Sequence, residues 1–278
     1  MSSPARESNT VTEQIGEFYD DVGELVEIVG GNLHVGYWED ERDATPFLEA
    51  MHRLTGMIAD RLRLRPGQRL LDVGCGVAEP AVQFARRTEV SITGITVSDG
   101  EIGEATRRIA AAGLRGRVSV QWADARALPF PDGSFDAAVA FDSLPSTADK
   151  DRWLAEIFRV LRPGGRFVFS EYPVVTELTE AEAEILRMGA ILAPPSGLPE
   201  VAGIAEGAGF TIEETLDLGD RVRRWYPEFF RKLAGQRAEL AQRYGEERIG
   251  LFEQGITPVF GVCREKIGYL VLACRKPS

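Results

Sequence analysis

Histidine and cysteine are scarce in this chain, with two of the first and three of the second among 278 residues. Cys75, Cys263 and Cys274 lie far apart, with no C-x-x-C pair and no metal-ligand spacing, which argues against a disulfide framework and fits small buried residues in a reducing compartment. Histidine chemistry has only His34 and His52 to draw on. Positive charge is also in deficit: 32 Lys and Arg against 43 Asp and Glu leave a net charge of −11, which argues against broad attraction to nucleic acid. Long apolar runs are missing too. The first ten residues are polar and no later stretch approaches the length of a membrane span, so the expectation is a cytoplasmic protein with no membrane partner. The length suits one large core that buries roughly 75% of the surface of the unfolded chain.

What the chain does have is a short apolar strand that runs into a glycine-rich turn and then a helix: Leu70-Leu71-Asp72-Val73-Gly74-Cys75-Gly76-Val77-Ala78-Glu79-Pro80. Gly74 and Gly76 allow a ligand close to the backbone, and amides opening the next helix can receive a carboxylate or phosphate. A dinucleotide fingerprint would need a third glycine where Glu79 stands, beside the expected pyrophosphate, which disfavours a nicotinamide cofactor. S-adenosylmethionine (SAM) carries an ammonium and a sulfonium beside its carboxylate, so Asp72 and Glu79 become acceptable neighbours.

Four further landmarks follow in order. They are Gly94-Ile95-Thr96-Val97-Ser98, Trp122-Ala123-Asp124-Ala125, Leu128-Pro129-Phe130-Pro131-Asp132-Gly133-Ser134-Phe135-Asp136, and Val160-Leu161-Arg162-Pro163-Gly164-Gly165. With the glycine turn, they make residues 60 to 175 resemble the class I SAM-dependent methyltransferases. Within the class the chain resembles small-molecule enzymes such as the rebeccamycin sugar O-methyltransferases.

Apolar strands near 69–73, 91–96, 118–122, 136–141 and 166–171 alternate with helical segments, which predicts a parallel sheet covered on both faces. Two later strands, near 211–217 and 268–274, flank a helical stretch from Val222 to Gly255, and the resemblance implies that they pair antiparallel at the sheet edge. The fold expected is therefore α/β, a doubly wound, seven-stranded, mostly parallel Rossmann-like sheet with N-terminal helices and a helical lid. Residues 1–10 are expected as a flexible tail and 11–62 as a helical cover over the cleft, from apolar spacing at Ile15, Phe18, Tyr19 and Val22 and again at Leu48, Met51, Leu54 and Ile58. Residues 63–278 form the SAM-binding domain, with lid insertions at about 174–200 and 219–266. Trp225, Tyr226, Phe229 and Phe230 would line an apolar lid there, or else a subunit interface or ordinary packing. Arg221, Arg223 and Arg224 could meet an anionic substrate or simply face solvent.

Ligands of such sheets bind at the carboxyl ends of the strands. Asp72, Gly74 and Gly76 are thus candidates for the cofactor loop. The resemblance implies a ribose-binding acid after the second strand, but Thr96 stands there, so Thr96 itself or a neighbour such as Glu101 would take that role. It also implies that Asp124 accepts from the adenine amino group while the Ala125 amide donates to the ring, helix capping being the alternative for Asp124. Phe141, at the end of the fourth strand, joins the cofactor set, and the resemblance implies that Tyr19 of the N-terminal helix closes over the cofactor, with core packing as its alternative.

Related sugar methyltransferases carry a histidine pair after that fourth strand, whereas this chain reads Phe141-Asp142-Ser143-Leu144-Pro145-Ser146. A base must come from elsewhere. His34, in Asn32-Leu33-His34-Val35-Gly36-Tyr37-Trp38, is one catalytic candidate and Glu171, ending the fifth strand, is the other. Each has a structural alternative, a core histidine or an acid held by backbone amides. The resemblance implies methyl transfer from SAM, with S-adenosylhomocysteine as product, to the oxygen or nitrogen of a small, fairly apolar metabolite in natural-product or antibiotic biosynthesis. Carbon methylation of an isoprenoid assisted by Glu171, and a SAM-binding protein without catalysis, are the alternatives. No metal and no nucleic acid are expected as partners, and a homo-oligomer stays open.

Overall fold

The structure is a computed structural model that describes residues 34–188 and 197–278. Tyr19, the tail over 1–10 and the helical pattern before residue 34 lie outside the described residues.

Seven strands form one sheet in the order β3-β2-β1-β4-β5-β7-β6. They are β1 (Arg69–Val73), β2 (Ser91–Thr96), β3 (Val118–Trp122), β4 (Phe135–Ala140), β5 (Leu161–Glu171), β6 (Thr211–Asp217) and β7 (Leu270–Arg275). The first five run parallel, while β7 lies antiparallel between β5 and β6. The strand positions agree with the sequence pattern except at β5, which starts at Leu161 because Pro163-Gly164-Gly165 is absorbed into the strand. The ladder skips there, passing from Phe135↔Leu161 to Ala137↔Arg166.

Side-chain alternation divides the core in two. Leu71, Val73, Ala138, Ala140, Phe167 and Phe169 face one side, covered by Leu154 and Ile157 of α4 (Lys150–Val160) and by Val201 and Ala205 of α6 (Leu198–Gly207). Leu70, Ile92, Ala137, Val139, Val168 and Val271 face the other side. There they meet Leu54 and Ile58 of α1 (Phe47–Leu62), Phe84 of α2 (Glu79–Arg87) and Ile109 of α3 (Asp99–Ala111). Thus α1 is a sheet-covering layer and not a helix over the cleft. Met51, Leu54 and Ile58 are buried as the spacing predicts, but Leu48 is left 39% exposed.

Residues 34–46 interrupt the expected helical cover with irregular backbone. Asp43 organises it by accepting from the amides of Glu39 and Thr45 at 2.8 and 2.9 Å. Hydrogen bonds, led by the Thr45 hydroxyl, hold its carboxyl well below the usual carboxylate range. The Trp38 indole N–H donates to the Thr45 carbonyl at 2.9 Å, and Arg224 lies over the Trp38 ring.

The insertions are more integrated than a loose lid. The first carries α5 (Glu180–Met188), and α6, which begins within the expected insertion, is the crossover that delivers β6. In the second, α7 (Gly219–Val222) precedes α8 (Trp225–Tyr244) and α9 (Glu246–Lys266), so the expected single helical stretch breaks at Gly245, whose φ is 93°. Trp225, Tyr226 and Phe229 are buried and each meets Phe260 edge-on, while Trp225 tilts against Phe229, so this hairpin extends the core. Among the described residues no helix is long and apolar enough to cross a membrane.

Candidate active site

The carboxyl ends of β1 to β5 share one edge, where the turn after β1 is built on left-handed backbone. Gly74, Gly76 and Ala78 all have positive φ, at 70°, 51° and 59°. The amides of Gly74 and Cys75 both donate to the Ile95 carbonyl at 2.9 Å, which locks the turn to β2. A Cβ on Gly74 would come within 2.3 Å of Ser143 Cβ, so this glycine is required by the loop after β4. Among the described residues a Cβ on Gly76 would face only Glu101 Oε1, at 3.6 Å, so that side of the turn opens toward α3. Ala78 opens α2 without a side-chain cap, which leaves the helix end without a side-chain oxygen of its own.

Two acids face this turn. Asp72 is 2% exposed and its Oδ2 has no hydrogen-bond partner among the described residues, an expensive state for a buried carboxylate. Burial pushes its pKa up to about 7, opposed by the nearby His34. A ligand ammonium would complete it. Glu101, in the first turn of α3, receives the Thr96 hydroxyl at 2.5 Å, and the Ser98 hydroxyl caps its amide at 2.9 Å. The carboxylate missing from the end of β2 is thus returned from the next helix, five residues on. After β3, Asp124 accepts the Arg126 amide at 2.8 Å and a two-pronged contact from the Arg126 guanidinium, at 3.1 and 2.5 Å. Ala125 is buried beside it. Its carboxylate is therefore rigidly placed, with an arginine sharing its charge.

The two catalytic candidates lie on opposite faces of the sheet. His34 stacks on Phe141, with ring centroids 3.9 Å apart and planes 12° from parallel, and its Nδ1 lies 3.0 Å from Asp142 Oδ2. Asp142 follows β4 in the left-handed region, at φ 55°, a conformation that Asp tolerates better than most residues. Its Oδ1 receives the Ser170 hydroxyl at 2.6 Å and the Tyr269 hydroxyl at 2.8 Å. Glu171 is one residue beyond Ser170, so it turns to the α4 side. There its Oε2 lies 2.6 Å from Lys150 Nζ, and its Oε1 accepts the Tyr172 amide at 3.0 Å. Glu171 is 1% exposed and meets Lys150 where the sequence reading pointed it into the cleft.

Asp142, Ser170 and Tyr269 were not singled out from sequence. Asp142 was accessible by the strand-end rule, but its segment drew notice for its missing histidines. Tyr269 gave no such signal, because the sequence pattern puts it at the start of a strand and not after one. The tyrosine-rich surroundings of Asp142 are strongly desolvated: burial, with the Asp142 charge next, raises the Tyr172 and Tyr269 hydroxyls well above the ordinary tyrosine value. The Cys75 thiol is likewise raised by burial, then by Asp72, so it is an inert core group.

The orphaned Asp72 oxygen, the open side of Gly76, the uncapped α2 and the Glu101 carboxylate fit an amino-acid and ribose-bearing cofactor. Comparison with known proteins agrees. Residues 71–169 match the family model for a methyltransferase domain. The 27-O-demethylrifamycin SV methyltransferase of Amycolatopsis mediterranei (strain S699) is 35% identical, over 95% of this chain and 97% of that protein. The O-methyltransferase resE of Aspergillus sclerotiorum is 38% identical, over 75% of this chain and 80% of its own. Among solved structures, that of the [4+2]-cyclase SpnF superposes with a TM-score of 0.83 at 34% identity and covers 96% of both chains. With this fold, this cofactor edge and these relatives, the chain belongs to the SAM-dependent methyltransferases and uses SAM as its cofactor.

Proposed function

We propose that this enzyme methylates a hydroxyl oxygen of a small, fairly apolar natural product, with His34 as the general base and Asp142 as its orienting partner. The 3.0 Å contact between His34 Nδ1 and Asp142 Oδ2 carries the reading. A neutral imidazole that donates Nδ1–H to a carboxylate keeps its basic lone pair on Nε2. A hydroxyl needs such a base because it must shed its proton as the new bond to carbon forms. Bound SAM supplies an activated methyl on a sulfonium leaving group. Everything else falls to the chain's residues: placing the acceptor in line, excluding water and receiving one proton at Nε2.

Phe141 supports the imidazole from below and fixes its plane, while Asp142 fixes its rotation. The geometry at the strand ends supports the cofactor contacts that the resemblance implies. The Gly74–Gly76 turn approaches the ligand backbone, Asp72 takes the ammonium, Glu101 with Thr96 takes the ribose hydroxyls, and Asp124 with the Ala125 amide takes the adenine edge. Tyr19 belongs to the same proposed set from the N-terminal segment. Glu171 is assigned to structure, because both its oxygens are engaged and its charge is matched by Lys150. That arrangement disfavours carbon methylation through a cation held by Glu171. An oxygen acceptor also agrees with the relatives named for O-methylation, one acting on a rifamycin.

The test is His34→Gln, assayed by S-adenosylhomocysteine release with polyketide alcohols, beginning with 27-O-demethylrifamycin SV. Turnover should fall about 10²–10⁴-fold while SAM affinity persists. Undiminished turnover by the variant would overturn the assignment of the base.

A further inference from the structure

The Asp142 carboxylate receives more hydrogen bonds than orienting one histidine requires. Oδ2 meets His34, while Oδ1 takes two hydroxyl donors, Ser170 at 2.6 Å and Tyr269 at 2.8 Å. The Asp142 amide in turn donates to the Ser170 hydroxyl at 2.7 Å, so residue and partner close a small ring in which the single Ser170 proton is committed to Oδ1. Tyr269 is fully buried, and its ring meets Tyr172 edge-on with centroids 5.1 Å apart, so the phenol has no room to swing away.

The origin of Tyr269 is topological. A residue that precedes a parallel strand lies at the opposite edge of the sheet from the site. Because β7 is antiparallel, its beginning lies at the carboxyl ends of β4 and β5, with Leu270 opposite Glu171 and Val271 opposite Ser170. The reversed strand thus supplies a phenol that the five parallel strands could not.

We infer that Tyr269 and Ser170 are positioning residues, a two-hydroxyl clamp that pins Oδ1 of Asp142 so that Oδ2 holds His34 in the tautomer with its proton on Nδ1. The inference rests on the His34–Asp142 reading proposed above. A carboxylate whose Oδ1 is unanchored can rotate and present either oxygen, or turn away, and the imidazole then loses its fixed partner. With Oδ1 saturated, one orientation is left. Burial keeps the phenol protonated, as a donor must be.

Nitrogen-15 NMR of the full-length protein, labelled at histidine and saturated with S-adenosylhomocysteine, reads the tautomer without an acceptor. With only His34 and His52 in the chain, His52→Gln assigns the signals. At neutral ring protonation the wild type should show His34 mainly as the Nδ1–H form. The ratio of Nδ1–H to Nε2–H should fall about threefold in Tyr269→Phe and roughly tenfold in Tyr269→Phe/Ser170→Ala, with unchanged circular dichroism. A wild-type His34 in the Nε2–H form would overturn both the base and the clamp. A wild-type Nδ1–H form that persists in Tyr269→Phe overturns the clamp alone and leaves the base assignment standing. Should the double variant fail to fold, Tyr269→Phe decides, since it keeps the ring and removes only the hydroxyl.

Discussion

Replacing Asp72 with Asn separates what this buried carboxyl costs the fold from what it does for the cofactor. Asp72 is 2% exposed, and burial lifts it to about 7. A carboxyl whose pKa is raised in the folded state takes up a proton on folding, so it subtracts stability as pH climbs from near 4 through about 7. With an unfolded value of about 3.9, ionisation costs roughly 1.5 kcal/mol of stability at pH 5 and roughly 4 kcal/mol at pH 8. An amide escapes that charge. It adds a pH-independent offset of its own, because its N–H groups also need partners. Urea unfolding of cofactor-free protein should therefore show Asp72→Asn gaining about 2.5 kcal/mol on the wild type between pH 5 and pH 8. With SAM the sign reverses, because a ligand ammonium beside Asp72 favours the ionised form. Wild-type SAM affinity should rise with pH across this window, while the variant binds more weakly with a flatter profile. A stability difference between the two proteins that is the same at pH 5 and pH 8 would refute the raised carboxyl and the argument built on it.

Glu101→Ala should weaken SAM binding by calorimetry about tenfold or more, whereas Glu101→Gln, which keeps one acceptor oxygen toward the ribose, should lose less; equal losses would remove Glu101 from the cofactor site. Gly76→Val fills the side of the turn that faces Glu101 at a position of φ 51°, so SAM binding should vanish with the melting temperature lowered only modestly, and retained affinity would mislocate the cofactor. Lys150→Met strands the Glu171 charge in a site 1% exposed and should cost about 3–5 kcal/mol in denaturant unfolding. Adding Glu171→Gln to that variant should recover most of the loss and retain methyl transfer. A double variant that is stable but inactive would return Glu171 to the chemistry.

The sheet was legible because its signals are local. Strands β1 to β4 read as short runs with apolar residues, followed or closed by Gly, Thr, Asp or Phe, and β6 has apolar Ile212 and Leu216 on one side of an otherwise polar run. The errors arose where a tertiary partner overrides the local pattern. Pro163-Gly164-Gly165 reads as a turn, yet pairing with β4 before and after the skip draws it into β5. Apolar spacing in α8 and α9 suits a lid or a core equally, and what decides is which partner meets each face. The cofactor edge followed the same division. Gly74 and Gly76 were visible because a strand that ends in closely spaced glycines lets a ligand approach the backbone, and Glu101 because it is one of the acceptors near Thr96. The orientation of Glu171 hung on one step of strand alternation, and sequence does not show which side of the sheet carries the cleft.

His34 and Asp142 are 108 positions apart, and Tyr269 is a further 127 from Asp142, so no motif window contains the network. Its members share only a sheet face. Asp72 on β1, Phe141 after β4 and Ser170 on β5 all point to the α1 side, and the β7 reversal delivers Tyr269 to the same place. Residues one step along, Val73 and Glu171, point to α4 and serve packing and charge balance. The fold therefore divides one edge into a face that carries the proposed base and a supporting face, with a period of two residues. A substitution that shifted β5 by one residue against β4 would put Glu171 where Ser170 stands. It would replace a hydroxyl donor to Asp142 with a second carboxylate, and like-charge repulsion at that distance would break the contact to His34. The register of β5, set by pairing on both sides, is thus what keeps the proposed base in contact with Asp142.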